Sequence, residues 1–332
     1  IMDKFILDIS KLQPGDIILE RLTDRVADKI SRLGHTQHTH AMLYVTTSSV
    51  IEAMDDIVIS NNPAREIFKD PDHVSVLRVK PEYACNVSLD TVVAYARQRV
   101  GNQYSIDEAK RIINQPPETA IERDRQTCTR LVAKAYEEGG LKIVENTNYC
   151  VPQEILESDK MFVVEDTLKE ATEEDIAFIE SKNILKDQHS AFVKMFARSR
   201  EILGESFVQD ESSLNKGVSL HPEKAHEIAE AIKESGYLNL ITNDKKLHPW
   251  DYAPEQFIKY YRDKSFMAAL QLVDVYNDSK DRFKGNIKAI SSYIDNFGDN
   301  EYYSLMRNHY AALCKDCDTR LDVLLTVRTK LS

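Results

Sequence analysis

The stretch TCTRLVAKAYEEGG (127–140) decides the reading of this chain. Thr127 is a good helix cap. Cys128, Leu131, Val132, Ala135 and Tyr136 follow at spacings that keep one helical face apolar. Gly139 and Gly140 end the helix. The pattern predicts a buried helix with a cysteine in its first turn. A thiol is a weak nucleophile until it loses its proton, and the partial positive charge of a helix N-terminus favours the thiolate. The backbone N–H groups there can also receive a developing oxyanion. A free cysteine is equally at home as a small buried hydrophobe, so the case for chemistry turns on a partner.

Working outward, HAMLYV (40–45) predicts a strand opened by His40. Met42 and Tyr44 share the face of His40, while Ala41, Leu43 and Val45 point the other way. An imidazole at the mouth of a sheet, facing a helix N-terminus, makes a Cys–His pair. On its own it is equally a surface or capping histidine. VIEAM (50–54) predicts the next strand, with TTSS (46–49) as the turn of a hairpin. Glu52 lies in this apolar run, and a buried carboxylate needs a partner, which orienting an imidazole would supply. A hairpin closing simply at 46–49 sets Glu52 nearer Leu43 or Tyr44 than His40, and an outward-facing glutamate also fits. The register stays open at this stage.

Other strands are predicted in GDIILER (15–21), IVIS (57–60) and VSVLRV (74–79), with helices over Thr23–Leu33 and Leu89–Val100. Strands with few long helices between them suggest a small antiparallel sheet or barrel. After about residue 165 the character changes. EATEEDIAFIESKNIL (170–185), HSAFVKMFARSREIL (189–203), PEKAHEIAEAIKESG (222–236) and two longer stretches near the end all carry helical periodicity. The second half reads as an all-α domain.

Composition narrows the partners. With 43 basic and 54 acidic side chains, the net charge is −11 and no run of Lys and Arg appears. Such a chain repels phosphate backbones, so nucleic acid is not an expected partner. No segment approaches the roughly 20 apolar residues of a membrane span, and IMDKFILDISKLQPGD (1–16) lacks the pattern of a secretory signal. Five cysteines are too few and too scattered for a disulfide framework, which points to a reducing compartment and a free thiol.

Two other residue groups compete with the Cys–His pair. HTQHTH (35–40) offers His35, His38 and His40, a donor set for zinc with Glu52, but the spacing suits a loop and not two ligands on one helix face. Neither metal nor cofactor is expected. Cys314 and Cys317 form a CxxC without a second pair and read as helix thiols, and Tyr260-Tyr261 and Tyr302-Tyr303 read as packing aromatics.

HAMLYV followed by VIEA resembles the His strand and polar-residue strand of the NlpC-type cysteine peptidases. CTRLVAKAYEEGGL (128–141) resembles their nucleophile helix. There the Cys helix ordinarily precedes the His strand. Here His40 and Glu52 come before Cys128, which is similar to the circularly permuted, YiiX-like branch. GDIILER, GNQYSID (101–107) and VPQEILESDKMFVV (151–164) look like that branch as well. The resemblance covers roughly residues 1–165. It implies an α+β papain-like (permuted) domain with a small antiparallel sheet or half-barrel, followed by an all-α domain over 166–332.

By the same resemblance, Cys128 is the nucleophile, His40 the general base and Glu52 the residue that orients it. Tyr104, Tyr44 and Thr127 are placed at the substrate cleft. Thr129 stands where a Ser is common, and Arg130 is read as facing solvent. The implied reaction opens an amide or peptide bond through an acyl-enzyme, with cell-wall peptides as one substrate; a lipid ester, opened by an acyl hydrolase or acyltransferase, is another. A reading from a different class is a catalytically silent binding module that meets a protein partner through its helical half. Cell-wall peptides lie outside the cytoplasm, so the expected place is the cytoplasm, or outside it for a bacterial effector exported by a signal-independent secretion system.

Overall fold

Short runs of β-branched residues form the strands of the first half. They are β1 (Phe5–Leu7), β2 (Ile17–Glu20), β3 (His40–Thr46), β4 (Ser49–Met54), β5 (Ile57–Asn61), β6 (Val74–Val79), β7 (Met161–Val163) and β8 (Leu168–Glu170). The computed structural model describes residues 4–22, 37–46, 49–54, 56–111, 125–204, 206 and 208–332. The helix expected over Thr23–Leu33, Thr47 and Ser48 of the turn, and His35 lie outside the described residues. Six strands form an antiparallel sheet in the order β5-β4-β3-β2-β6-β7, and β1 pairs with β8 in a separate ribbon.

Both faces of the sheet are covered, which explains why its strands read as nearly continuous apolar runs. Ile17, Leu19, Ala41, Leu43, Ile51 and Ala53 pack on one side. They meet Val92 and Ala96 of α1 (Leu89–Gln98) and Leu131, Val132 and Ala135 of a later helix, Cys128–Glu138. Ile18, Met42, Tyr44, Val50 and Val76 pack on the other side with Leu7, Leu12 and Phe68. The period of two along each strand sorts the residues between the two clusters. Between α1 and the cysteine helix lies α2 (Ile106–Arg111), so the cysteine helix is α3. Two further short helices follow among the described residues, α4 (Pro152–Leu156) and α5 (Glu173–Glu180).

The hairpin does not close simply. Tyr44 pairs with Val50 and Met42 with Glu52, while Thr46 pairs with Ser49, so a bulge lies between Tyr44 and Thr46. That one-residue shift moves Glu52 from the expected place near Leu43 or Tyr44 to one opposite Met42. A slip of one residue changes the face of every side chain beyond it. Here it puts Glu52 on the face of His40.

The chain divides into two compact units, residues 1–181 and 182–332. The expected boundary near residue 165 falls inside the first unit, because β8 pairs with β1 and Arg65 donates to the Phe178 carbonyl at 2.9 Å. In the second unit all described regular elements are helical: α6 (Ile184–Leu203), α7 (Glu211–Leu220), α8 (Ala225–Ser235), α9 (Leu240–Leu247), α10 (Pro254–Tyr261), α11 (Ser265–Phe297) and α12 (Glu301–Leu331), with short 3₁₀ turns. The fold is an α+β domain followed by an all-α region.

Polar groups inside the helical unit are paired with care. The Tyr302 hydroxyl donates to Asn215 Oδ1 at 2.8 Å, and Glu211 accepts from Tyr237 and Tyr310. Tyr260 stacks on Trp250 with ring centroids 3.9 Å apart. Cys314 and Cys317 are free thiols on α12. Arg320 gathers Asp244, Asp251 and Asp316 around one guanidinium, with the hydroxyls of Tyr252 and Tyr276. Burial pushes the Asp251 carboxyl up to about 6, against the pull of Arg320.

A Cβ at Gly139 would lie 2.5 Å from Val92 Cγ2 and 3.1 Å from the Ser88 carbonyl. Gly139→Ala should therefore cost about 1–3 kcal/mol of stability by overpacking, read as a fall in the denaturation midpoint. Asp251 has a raised folded pKa, so its stabilising share is full below about 3.9, the unfolded value, and is lost as pH rises through about 6. Asp251→Asn should accordingly stabilise the protein by about 1–3 kcal/mol at pH 8, with the gain vanishing towards pH 4 in urea titrations.

Candidate active site

Cys128 is the first residue of α3, and Thr127 caps the helix by accepting from the Arg130 N–H at 3.3 Å. The apolar stripe of α3 packs it on the sheet, which carries its N-terminus to the end of β3 where His40 begins. His40 Nε2 lies 2.7 Å from Glu52 Oε2, and both side chains are buried. The imidazole and the Cys128 thiol act on each other's protonation, which sets the two groups side by side. With Nε2 engaged by Glu52, the nitrogen left for sulfur is Nδ1. Glu52 Oε1 accepts from Asn61 Nδ2 at 3.1 Å, so both carboxylate oxygens are held.

The electrostatics favour an ion pair. Burial works to lower the His40 pKa, but the hydrogen bonds and charges of Cys128 and Glu52 outweigh it and hold the imidazole well above its usual range. Burial works to raise the Cys128 pKa. The hydrogen bond and charge of His40, with the N–H groups of Ala41 and Thr129, reverse this and bring the thiol below its ordinary value. The two directions agree on thiolate and imidazolium. Cys150 is the contrast: buried without such partners, it is pushed up to about 12. A low thiol pKa in a cleft beside a basic group marks a reactive cysteine.

The remaining expected residues spread out. Tyr104 is partly buried, and its backbone bridges to Gln126, two residues before Cys128. Thr127 is buried and serves as the helix cap. Tyr44 is buried in the cluster with Met42 and Ile18. It lies four residues along β3 from His40, roughly 13 Å at the rise of a strand. Tyr44 is not brought to the sulfur.

Arg130 is the correction on the helix. It does not face solvent: its side chain is 3% exposed, and Nη1 donates to Glu108 Oε2 at 2.7 Å. It also donates to the carbonyls of Asn148 at 3.1 Å and Arg125 at 2.9 Å, and Tyr149 donates to the same Glu108. The reason lies in spacing: two positions after Cys128, Arg130 falls on the side of α3 that meets α2 and the 145–150 segment. Thr129 donates to the Cys150 carbonyl at 2.7 Å. The first turn of α3 is thereby tied down on both flanks.

Three residues escaped the reading of the sequence. Asn61 holds Glu52. Gln126 is buried just ahead of Cys128, its Oε1 without a hydrogen bond among the described residues. Glu20 pairs with His40 across the β2–β3 ladder. Polar residues closing apolar strands, in IILE (17–20) and IVISN (57–61), were the available signal for two of them. Among the described residues the ligand atoms of His38, His40 and Glu52 do not converge. The group that does is His226, Glu230 and Glu301 on the surface of the helical unit, where Lys233 already bonds both carboxylates.

Comparison with known families settles the class of this fold. Residues 11–194 match the model of the permuted papain-like amidase enzymes, YaeF/YiiX, C92 family. The chain belongs to that family. It is a papain-like cysteine hydrolase of amidase type. Comparison with curated proteins gives no match. Among solved structures, the crystal structure of metalloprotein yiiX from Escherichia coli O157:H7 (DUF1105) is similar at 17% identity. The likeness covers 46% of this chain and 97% of that one, with a TM-score of 0.36.

Breaking the buried pair beneath α3 tests its weight. Glu108→Ala strands the Arg130 guanidinium and should cost about 3–5 kcal/mol. Joint replacement of Glu108 and Arg130 by Leu and Met should cost far less in the same urea titration.

Proposed function

We propose that the chain hydrolyses an amide or peptide bond with Cys128 as nucleophile, His40 as general base and acid, and Glu52 as the group that orients His40. The observation that carries this reading is the buried His40–Glu52 hydrogen bond at 2.7 Å beside the helix-start Cys128, with the thiol pKa lowered and the imidazole pKa raised by each other's presence. In the first step the thiolate attacks the carbonyl carbon, and the oxygen gains a negative charge. The Cys128 N–H, at the first position of α3, is a backbone donor suited to that charge. His40 gives its Nδ1 proton to the leaving amine as the C–N bond breaks, which leaves an acyl-enzyme. His40 then takes a proton from water, and the hydroxide releases the acid. Throughout, Glu52 holds the Nε2–H and steadies the imidazolium.

The family description, an amidase, favours an amide over a lipid ester, and a peptide is the substrate class it suggests. No helix among the described residues is long and apolar enough to cross a membrane.

Alkylation of Cys128 by iodoacetamide, followed against pH by mass spectrometry of its peptide, tests the reading. The wild-type rate should titrate well below the free-thiol value of about 8.5. His40→Ala should move the curve upward and abolish amide hydrolysis, and Glu52→Gln should do both more weakly. Cys128→Ala should retain the fold and lose all turnover. An unmoved curve in His40→Ala would remove the pairing.

A further inference from the structure

Glu20 ends β2, and its Cα pairs directly with that of His40 in the antiparallel β2–β3 ladder. Directly opposed residues share a face, with Cβ atoms about 4.5–5.5 Å apart. Glu52 reaches the same face from β4, on the far side of β3. The His40 ring is therefore flanked by carboxylates from both neighbouring strands, one hydrogen-bonded to it and one beside it. Glu20 is half-buried, and its carboxyl is sensitive to the charges of both His40 and Glu52.

We propose that Glu20 is a positioning residue of the active site, whose ionised carboxylate helps to hold His40 as an imidazolium beside the Cys128 thiolate. This rests on the Cys128–His40 reading given above. A strand-end glutamate placed against a bare sheet would turn to water, and nothing in β-sheet packing calls for a carboxylate at a half-buried position opposite a histidine. A negative charge there stabilises the imidazolium, and through it the thiolate, without touching substrate.

Among the described residues, the charges that act on Glu20 are those of His40 and Glu52. On the β6 side it is opposed by Val74, which carries no charge. Arg21, next in the chain, and His73 act on His38, whose imidazole burial lowers to about 4 and keeps neutral at neutral pH. Burial also raises the Glu20 carboxyl, opposed by the charge of His40 and aided by that of Glu52. Glu20 consequently takes up a proton at higher pH than a free glutamate. Its protonation weakens the hold on His40 as the medium becomes acid.

The experiment is the pH dependence of Cys128 alkylation in wild type, Glu20→Gln and Glu20→Asp, read on the Cys128 peptide so that the other thiols do not contribute. Glu20→Gln keeps shape and removes charge. It should shift the apparent Cys128 pKa upward by about half a unit to one unit, so that alkylation on the acid limb slows about 3- to 10-fold. Glu20→Asp keeps the charge and should stay close to the wild-type curve. A Glu20→Gln curve that superimposes on wild type overturns the proposal, and so do equal shifts in both variants, which would mean that shape and not charge matters. A wild-type curve already near the free-thiol value would instead overturn the Cys128–His40 reading itself.

Discussion

A buried imidazole with two nitrogens organises the first unit. Removed from water, His40 would ordinarily give up its charge, because an isolated buried ion is far more costly than a neutral ring. Here each nitrogen faces an anionic or acidic partner, and the charge becomes the preferred state. That outcome requires Glu52 on the correct face of β4, and therefore the bulge after Tyr44. It requires the N-terminus of α3 to stand at the end of β3, and therefore the apolar stripe that seats the helix on the sheet. Asn61, the Arg130–Glu108 pair and the Thr127 cap each fix one of these positions. The site is a set of distances that the whole unit maintains.

Much of this was legible in the chain. The spacing of Cys128, Leu131, Val132, Ala135 and Tyr136 gave the helix and the place of the thiol within it. The strands at 40–45, 50–54, 57–60 and 74–79 were visible as β-branched runs. Their pairing was less so, because a bulge adds no residue type that marks it, and only the backbone shows that Glu52 opposes Met42. Arg130 misled because a lone arginine on a helix usually lies in water. Its partner Glu108 is more than twenty residues away in sequence, and no local pattern joins them. Tyr44 misled in the opposite way: alternation put it on the face of His40 correctly, but that face continues into the core.

The helical unit hides its polar chemistry in the same manner. Periodicity identified its helices, since apolar spacing is a local property. It said nothing of Arg320, whose three aspartates come from α9, the 249–252 turn and α12 itself. Such a junction specifies which helices meet, because a misplaced neighbour leaves a guanidinium or a carboxylate unpaired. Asp251 shows that the arrangement has a cost in one member, whose carboxyl holds its proton longer than a free one.

The order of elements along the chain also bears on synthesis. Residues reach the folding milieu from the N-terminus onward. The His40–Glu52–Asn61 constellation is complete in sequence before α1 has begun, whereas the thiol arrives with α3 and the sheet receives its last strand, β7, later still. A nascent or prematurely released chain therefore carries the His40–Glu52 pair without Cys128 beside it. The thiol and the imidazole thus meet only when most of the first unit has left the ribosome.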